Sequence, residues 1–281
     1  MPRDFSRDLS RFIRAWLCVF AAVFFIGPIA GMIAHQIRGP DGGTHATLLL
    51  SLSPLAGLAV AVVLGAIIVA TILAARAAAS VNVGLFCGGI VAAWAAARLG
   101  RVDLVILASP RSPGGTLALE GMLGLLVLGC ISVMLKRISR GAPVPALTWR
   151  WLGATIAGIC AGGAAVWLVA VEPSRGQVIA AAAAAGIVSA AVMRMVLLGS
   201  PTWMLLWPCA LLSVLAPILS ALVMDDPVIA VRDGELFRLG GLQTFDWLAG
   251  ALLGVPVGAV WTESVALRAS GSASEIDTDS R

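Results

Sequence analysis

Residues 55–75 read LAGLAVAVVLGAIIVATILAA, an unbroken apolar run with no charged side chain. A helix of about 20 such residues crosses the roughly 30 Å of hydrocarbon in a bilayer and satisfies its backbone hydrogen bonds internally. A barrel strand would be about half as long and would alternate apolar with polar positions. This stretch does not alternate, so it reads as a spanning helix.

Seven further runs are likewise long and predominantly apolar, four of them with one or two ionisable residues: 13–33, 82–97, 116–135, 151–171, 177–198, 203–224 and 245–265. The sequence therefore predicts an all-α polytopic integral membrane protein of about eight transmembrane helices. The segment 47–53, just before the second run, is expected to lengthen that helix or to lie at the interface. Composition agrees, with 59% hydrophobic and 12% charged residues, whereas soluble domains carry about 25% charged residues. A signal peptide is a poorer reading of the N-terminus, because the first run is longer than a typical signal core and lacks a clean small-residue cleavage site.

Lys and Arg concentrate on the cytoplasmic side of a membrane protein. An inner N-terminus puts Arg3, Arg7, Arg11, Arg14, Arg76, Lys136, Arg137, Arg140, Arg150 and Arg194 on one side. It leaves Asp41, Asp103, Glu172, Asp225, Asp226, Asp233 and Glu235 on the other. Seven of the nineteen basic residues fall on the outer side against twelve on the inner, three of the seven, Arg98, Arg101 and Arg111, in one loop, and both termini are expected in the cytoplasm. The excess of Arg over Lys, abundant Ala and absence of Tyr suggest GC-rich coding and a bacterial cell membrane. The basic residues are scattered over loops without interleaved aromatics, so no nucleic-acid surface is expected. Trp149, Trp151, Trp203, Trp247 and Trp261 fall near the ends of the runs, where indoles settle at the headgroups.

The chain divides into a tail (1–12), a first four-helix half (13–135), a basic linker (136–150), a second half (151–267) and a polar tail (268–281) of disordered composition. An internal spacing supports the halves. Gly114, Gly115, Glu120 and Gly124 are matched by Gly240, Gly241, Asp246 and Gly250. Four helices per copy would relate the halves by an axis along the membrane normal, a parallel 4+4 duplication.

Ionisable residues at membrane depth are costly and point first to function. Glu120 and Asp246 are accordingly the transport candidates, a carboxylate pair facing across the pseudo-twofold axis to take up a proton or cation. The plainer reading is that each lies about one turn inside its helix, in reach of headgroup water and of the positive helix end. Arg14, Arg76 and Arg194 are expected to extend to the interface along their apolar stems, and Glu263 is likewise placed there. Pairs such as Gly27 and Gly31, Gly84 and Gly88, Gly158 and Gly162, and the series Gly250, Gly254, Gly258 predict close helix packing. Pro208, Pro217 and Pro256 predict kinks.

Cys18, Cys87, Cys130, Cys160 and Cys209 fall in separate runs without ligand spacing, and His35 and His45 have no partners in sequence. Neither a metal nor a cofactor is expected, and no nucleotide-binding or hydrolase motif is present, so an enzyme is not expected either. The residues favour a structural or assembly subunit, with a membrane protein partner or a homo-oligomer around it. The alternative is a small secondary transporter or channel that uses the carboxylate pair.

Overall fold

The computed structural model describes residues 2–39, 41–43, 46–109, 114–138 and 148–278, and among these every regular element is helical. The chain begins as one long rod: α1 (Pro2–Ala21), a π-helical turn (Ala22–Ile26) and α2 (Gly27–Ala34). The π turn has a local cause. Pro28 has no N–H to offer the carbonyl four residues back, and the ladder shifts so that the Gly27 N–H bonds the Ala22 carbonyl. Helicity starts at Pro2, within the segment expected to be a tail.

Next come α3 (Pro54–Ala78) and α4 (Val81–Arg98). The Ser53 and Ser80 side chains accept from Ala56 N and Val83 N and cap their starts. With only residues 79 and 80 between them, the two helices pack as an antiparallel pair. A short helix, α5 (Val102–Ala108), precedes α6 (Gly114–Ile138), and α7 (Trp149–Val169) is followed closely by α8 (Arg175–Val196). After a 3-10 turn, α9 (Trp207–Val223) leads through α10 (Pro227–Arg232) to α11 (Thr244–Thr278).

Among the described residues, seven helices are long and apolar enough to cross a membrane, namely Leu9–Ala34, Pro54–Ala78, Gly114–Ile138, Trp149–Val169, Arg175–Val196, Met204–Val223 and Thr244–Val265. The protein is thus a multi-pass helical membrane protein in a lipid bilayer. The eighth expected run forms α4, which is not among the seven. One face of α4 after another is covered: Gly84 meets α3 at Ile72 and Arg76, Gly89 meets α11 at Leu252 and Leu253, and Trp94 lies against Gly27 and Gly31 of α2.

Glycines set how close the helices come. A Cβ on Gly250, Gly254 or Gly258 of α11 would collide with backbone of α8 at Ala182, Ala183 and Ile187. Gly158 and Gly162 of α7 leave room instead for the side chains of Pro208, Leu212 and Ser189. Without a hydrophobic force between helices in lipid, this approach of backbones gives dispersion contact its strength.

Several expectations are corrected. The segment 47–53 does not lengthen α3; it is irregular, and Thr47, Leu48 and Ser51 are buried against the bundle. Pro208 does not kink a helix, since it falls in the first turn of α9 where its missing N–H has no intrahelical partner to lose. Trp247 is a core residue, 1% exposed, rather than an interfacial ring. Helix α11 continues to Thr278 through most of the polar tail. Arg194 does not simply extend to the interface: it bonds the Ala259 carbonyl and pairs with Glu263.

Candidate functional site

Glu120 lies in the second turn of α6 and is 1% exposed. Its Oε1 accepts from the Thr47 hydroxyl, from the Leu49 N–H at 2.6 Å and from the Leu50 N–H at 3.4 Å. The donors all belong to the irregular segment 46–53, whose backbone has no helix or sheet to pair with. Buried N–H groups must find acceptors, and one carboxylate oxygen supplies them. The segment fits because Gly57 of α3 leaves room for the Leu48 carbonyl, which a Cβ there would strike. Gly121, next to Glu120, admits the backbone of α9 at Ser213 in the same way.

Asp246 stands in the first turn of α11 and is fully buried. Its Oδ2 accepts from the Gln243 N–H at 2.8 Å, the return arm of a helix cap, and lies 3.5 Å from a guanidinium nitrogen of Arg175. Arg175 opens α8, where a positive charge opposes the helix dipole, so the carboxylate stabilises it there. The same guanidinium donates to the Leu99 carbonyl, and the Gln243 side-chain amide donates to the Gly100 carbonyl. The Arg101–Asp103 ion pair lies near enough to interact electrostatically with Arg175.

The two carboxylates are therefore not placed against headgroup water. Nor does either contact the other directly among the described hydrogen bonds and ion pairs. They are joined through backbone: the Gly100 N–H donates to the Ala46 carbonyl beside the Glu120 segment, while the Gly100 carbonyl receives Gln243. A continuous chain of polar contacts runs from Glu120 through 46–50 and 99–100 to Gln243, Asp246 and Arg175. It ties five separate stretches of sequence together at one end of the bundle, the end that also holds the loops after α2, α4, α7 and α9.

The Asp246 side of this chain retains polar atoms without a protein hydrogen bond. They are Asp246 Oδ1, Gln243 Oε1, Thr244 Oγ1, Trp247 Nε1 and Arg175 Nε. At the same end of the bundle is a cleft of about 90 Å³ lined by Asp103, Val178, Arg238 and Gly241 among others, and by none of the residues that carry those atoms. A larger cleft of about 650 Å³ at the same end is lined by Trp167, Asp225, Asp226, Asp233, Glu235 and Arg238. Neither cleft is lined by Glu120 or Asp246. Arg238 is occupied by the Trp167 carbonyl at 2.6 Å and by the Trp167 ring.

Sequence reasoning found both acids and missed their partners. Thr47, Gln243 and Arg175 read as ordinary loop and helix-end residues. For Arg175 there was a signal: a cation in the first turn of an apolar helix needs a nearby acid. Of the histidines, His35 follows the end of α2 and His45 lies outside the described residues. No group of three or more His, Cys, Asp or Glu side chains able to hold a metal occurs among the described residues. No family model, curated protein or solved structure matches the chain.

Proposed function

We propose that this chain is a structural or assembly component of a cell membrane, without transport or catalytic chemistry of its own. One observation carries the reading: both intramembrane carboxylates are bound by groups of the same chain and fasten its irregular segments. In a transporter the coupling group must exchange partners with solute and water during the cycle. Here Glu120 replaces secondary structure for 46–50, and Asp246 balances a buried guanidinium.

In this reading α4 is the eighth span, since its 18 residues extend about 27 Å, and both termini are cytoplasmic in a bacterial membrane. The parallel duplication belongs to the same reading. Its support is an exchange of partners: α6, which closes the first half, packs on α9 of the second, and α11, which closes the second, packs on α4 of the first. The test is extraction from the native membrane in mild detergent, followed by mass spectrometry of stoichiometric companions. A reproducible membrane partner or a homo-oligomer is the expected result; a monomer without companions contradicts it.

A second reading, a small transporter or channel, is favoured by the unpartnered polar atoms around Asp246. It predicts pH-dependent flux in vesicles that disappears when Glu120→Gln and Asp246→Asn are combined. Absence of flux in the unaltered protein removes this reading.

A further inference from the structure

At the end of the bundle away from the carboxylates, a furrow of about 770 Å³ runs along one face of α6 beside Trp207. Its walls are apolar from Leu125 to Met134, Gly129 leaves its floor open, and Arg137 is the charged residue that lines it. The distance from Leu125 to Ile138 along the helix is about 20 Å, the reach of an extended acyl chain through one leaflet.

Arg101, Arg175 and Arg194 each have a carboxylate partner. Arg137 has none among the described residues. Lys136, its neighbour in sequence, is held 5.4 Å over the ring of Trp203, four residues before the Trp207 that lines the furrow, so a second cation stands at the same end of α6 without lining the furrow itself. An isolated basic residue at a helix end needs only water and headgroups. A pair of cations at the end of a furrow built for a chain has the complementarity of a lipid that is negative at one end and apolar along its length.

We propose that this furrow is a binding site for one anionic phospholipid, with an acyl chain against Gly129 and Cys130 and the headgroup phosphate on Arg137 and Lys136. The occupant is a lipid. A polypeptide helix in the same place is an alternative the experiment separates.

The purified full chain in neutral detergent is titrated with phosphatidylglycerol or phosphatidylcholine and read by native mass spectrometry. Phosphatidylglycerol is expected to bind in preference, and each of Lys136→Gln and Arg137→Gln to weaken it about fivefold. Arg137→Lys should keep most of the preference, which separates lost charge from misfolding. Gly129→Leu, filling the furrow, should weaken both lipids.

Equal binding of the two lipids overturns the proposal, as does a preference that survives loss of both cations. Unchanged binding in Gly129→Leu overturns the seat in the furrow. Native-membrane crosslinking from a probe on the exposed Cys130, in a Cys160→Ala background, is expected to label lipid; labelling of a polypeptide instead overturns the occupant.

Discussion

Glu120 and Asp246 occupy the same place in a repeated spacing, yet the protein stabilises them by different physics. Glu120 is held by neutral donors, a hydroxyl and two backbone N–H groups, from a segment distant in sequence. Asp246 is held by an opposite charge on α8 and by the first turn of its own helix. The first acid compensates for missing secondary structure; the second compensates for a charge. Equal spacing in the chain does not imply equal chemistry, because the partners come from elements that the spacing does not contain.

The comparison has consequences of graded size, each checked by unfolding in mixed detergent micelles. The largest effect is expected on the Asp246 side. Arg175→Met or Asp246→Leu alone leaves one buried charge without its counterion and should cost about 3 to 5 kcal/mol. The double variant should recover much of that loss, since removing both charges ends the imbalance. If the double variant is as unstable as the sum of the singles, the pair is not the reason for the burial.

On the Glu120 side the expected effect is smaller. Glu120→Ala strands the Thr47 hydroxyl and the Leu49 N–H, while the Leu50 N–H keeps the Thr47 oxygen at 3.2 Å as an acceptor; the freed groups are neutral and Leu49 is only half-buried, so the whole loss should be about 1 to 3 kcal/mol. Glu120→Gln retains an acceptor oxygen and should fall nearer the lower figure. Protease access at 46–53 should rise in Glu120→Ala and stay unchanged in Asp246→Leu, which would localise each acid to its own segment. Equal access in the two variants would merge the sites into one.

Thr47→Val removes the hydroxyl bond to the carboxylate and an acceptor for the Leu50 N–H, which keeps Glu120 at 3.4 Å, and should cost about 1 to 2 kcal/mol. The smallest effect is at the opposite end, where Glu263 is 54% exposed in its pair with Arg194. Glu263→Gln should change stability by no more than about 1 kcal/mol and should lose its effect in high salt. A large, salt-independent change there would mean that the Arg194 contact with the Ala259 carbonyl depends on the acid.

Much of the fold was legible because bilayer physics acts on each span separately. Long uncharged runs require helices wherever they occur, and glycine spacing announces close approach before the approaching helix is known. The glycines at 250, 254 and 258 could be assigned to packing, though not to α8. Helix α4 was legible as an apolar run, and its near-complete enclosure by α2, α3 and α11 was not. The site was legible by half. An acid inside an apolar run is conspicuous, whereas Thr47 and Gln243 are inconspicuous in loops, and Trp247 resembles any indole at a helix end.

The sequence by itself determined that the chain is helical and lies in a membrane, that backbones meet at particular glycines, and that two acids need an explanation. Only the tertiary structure decided what satisfies those acids, that segment 46–53 is buried, and that Arg175 and Asp246 form a pair. Hydropathy and helix geometry are local, read within one turn or one span. The partners of a buried charge are set by which helix ends come together, and that depends on the packing of the whole bundle.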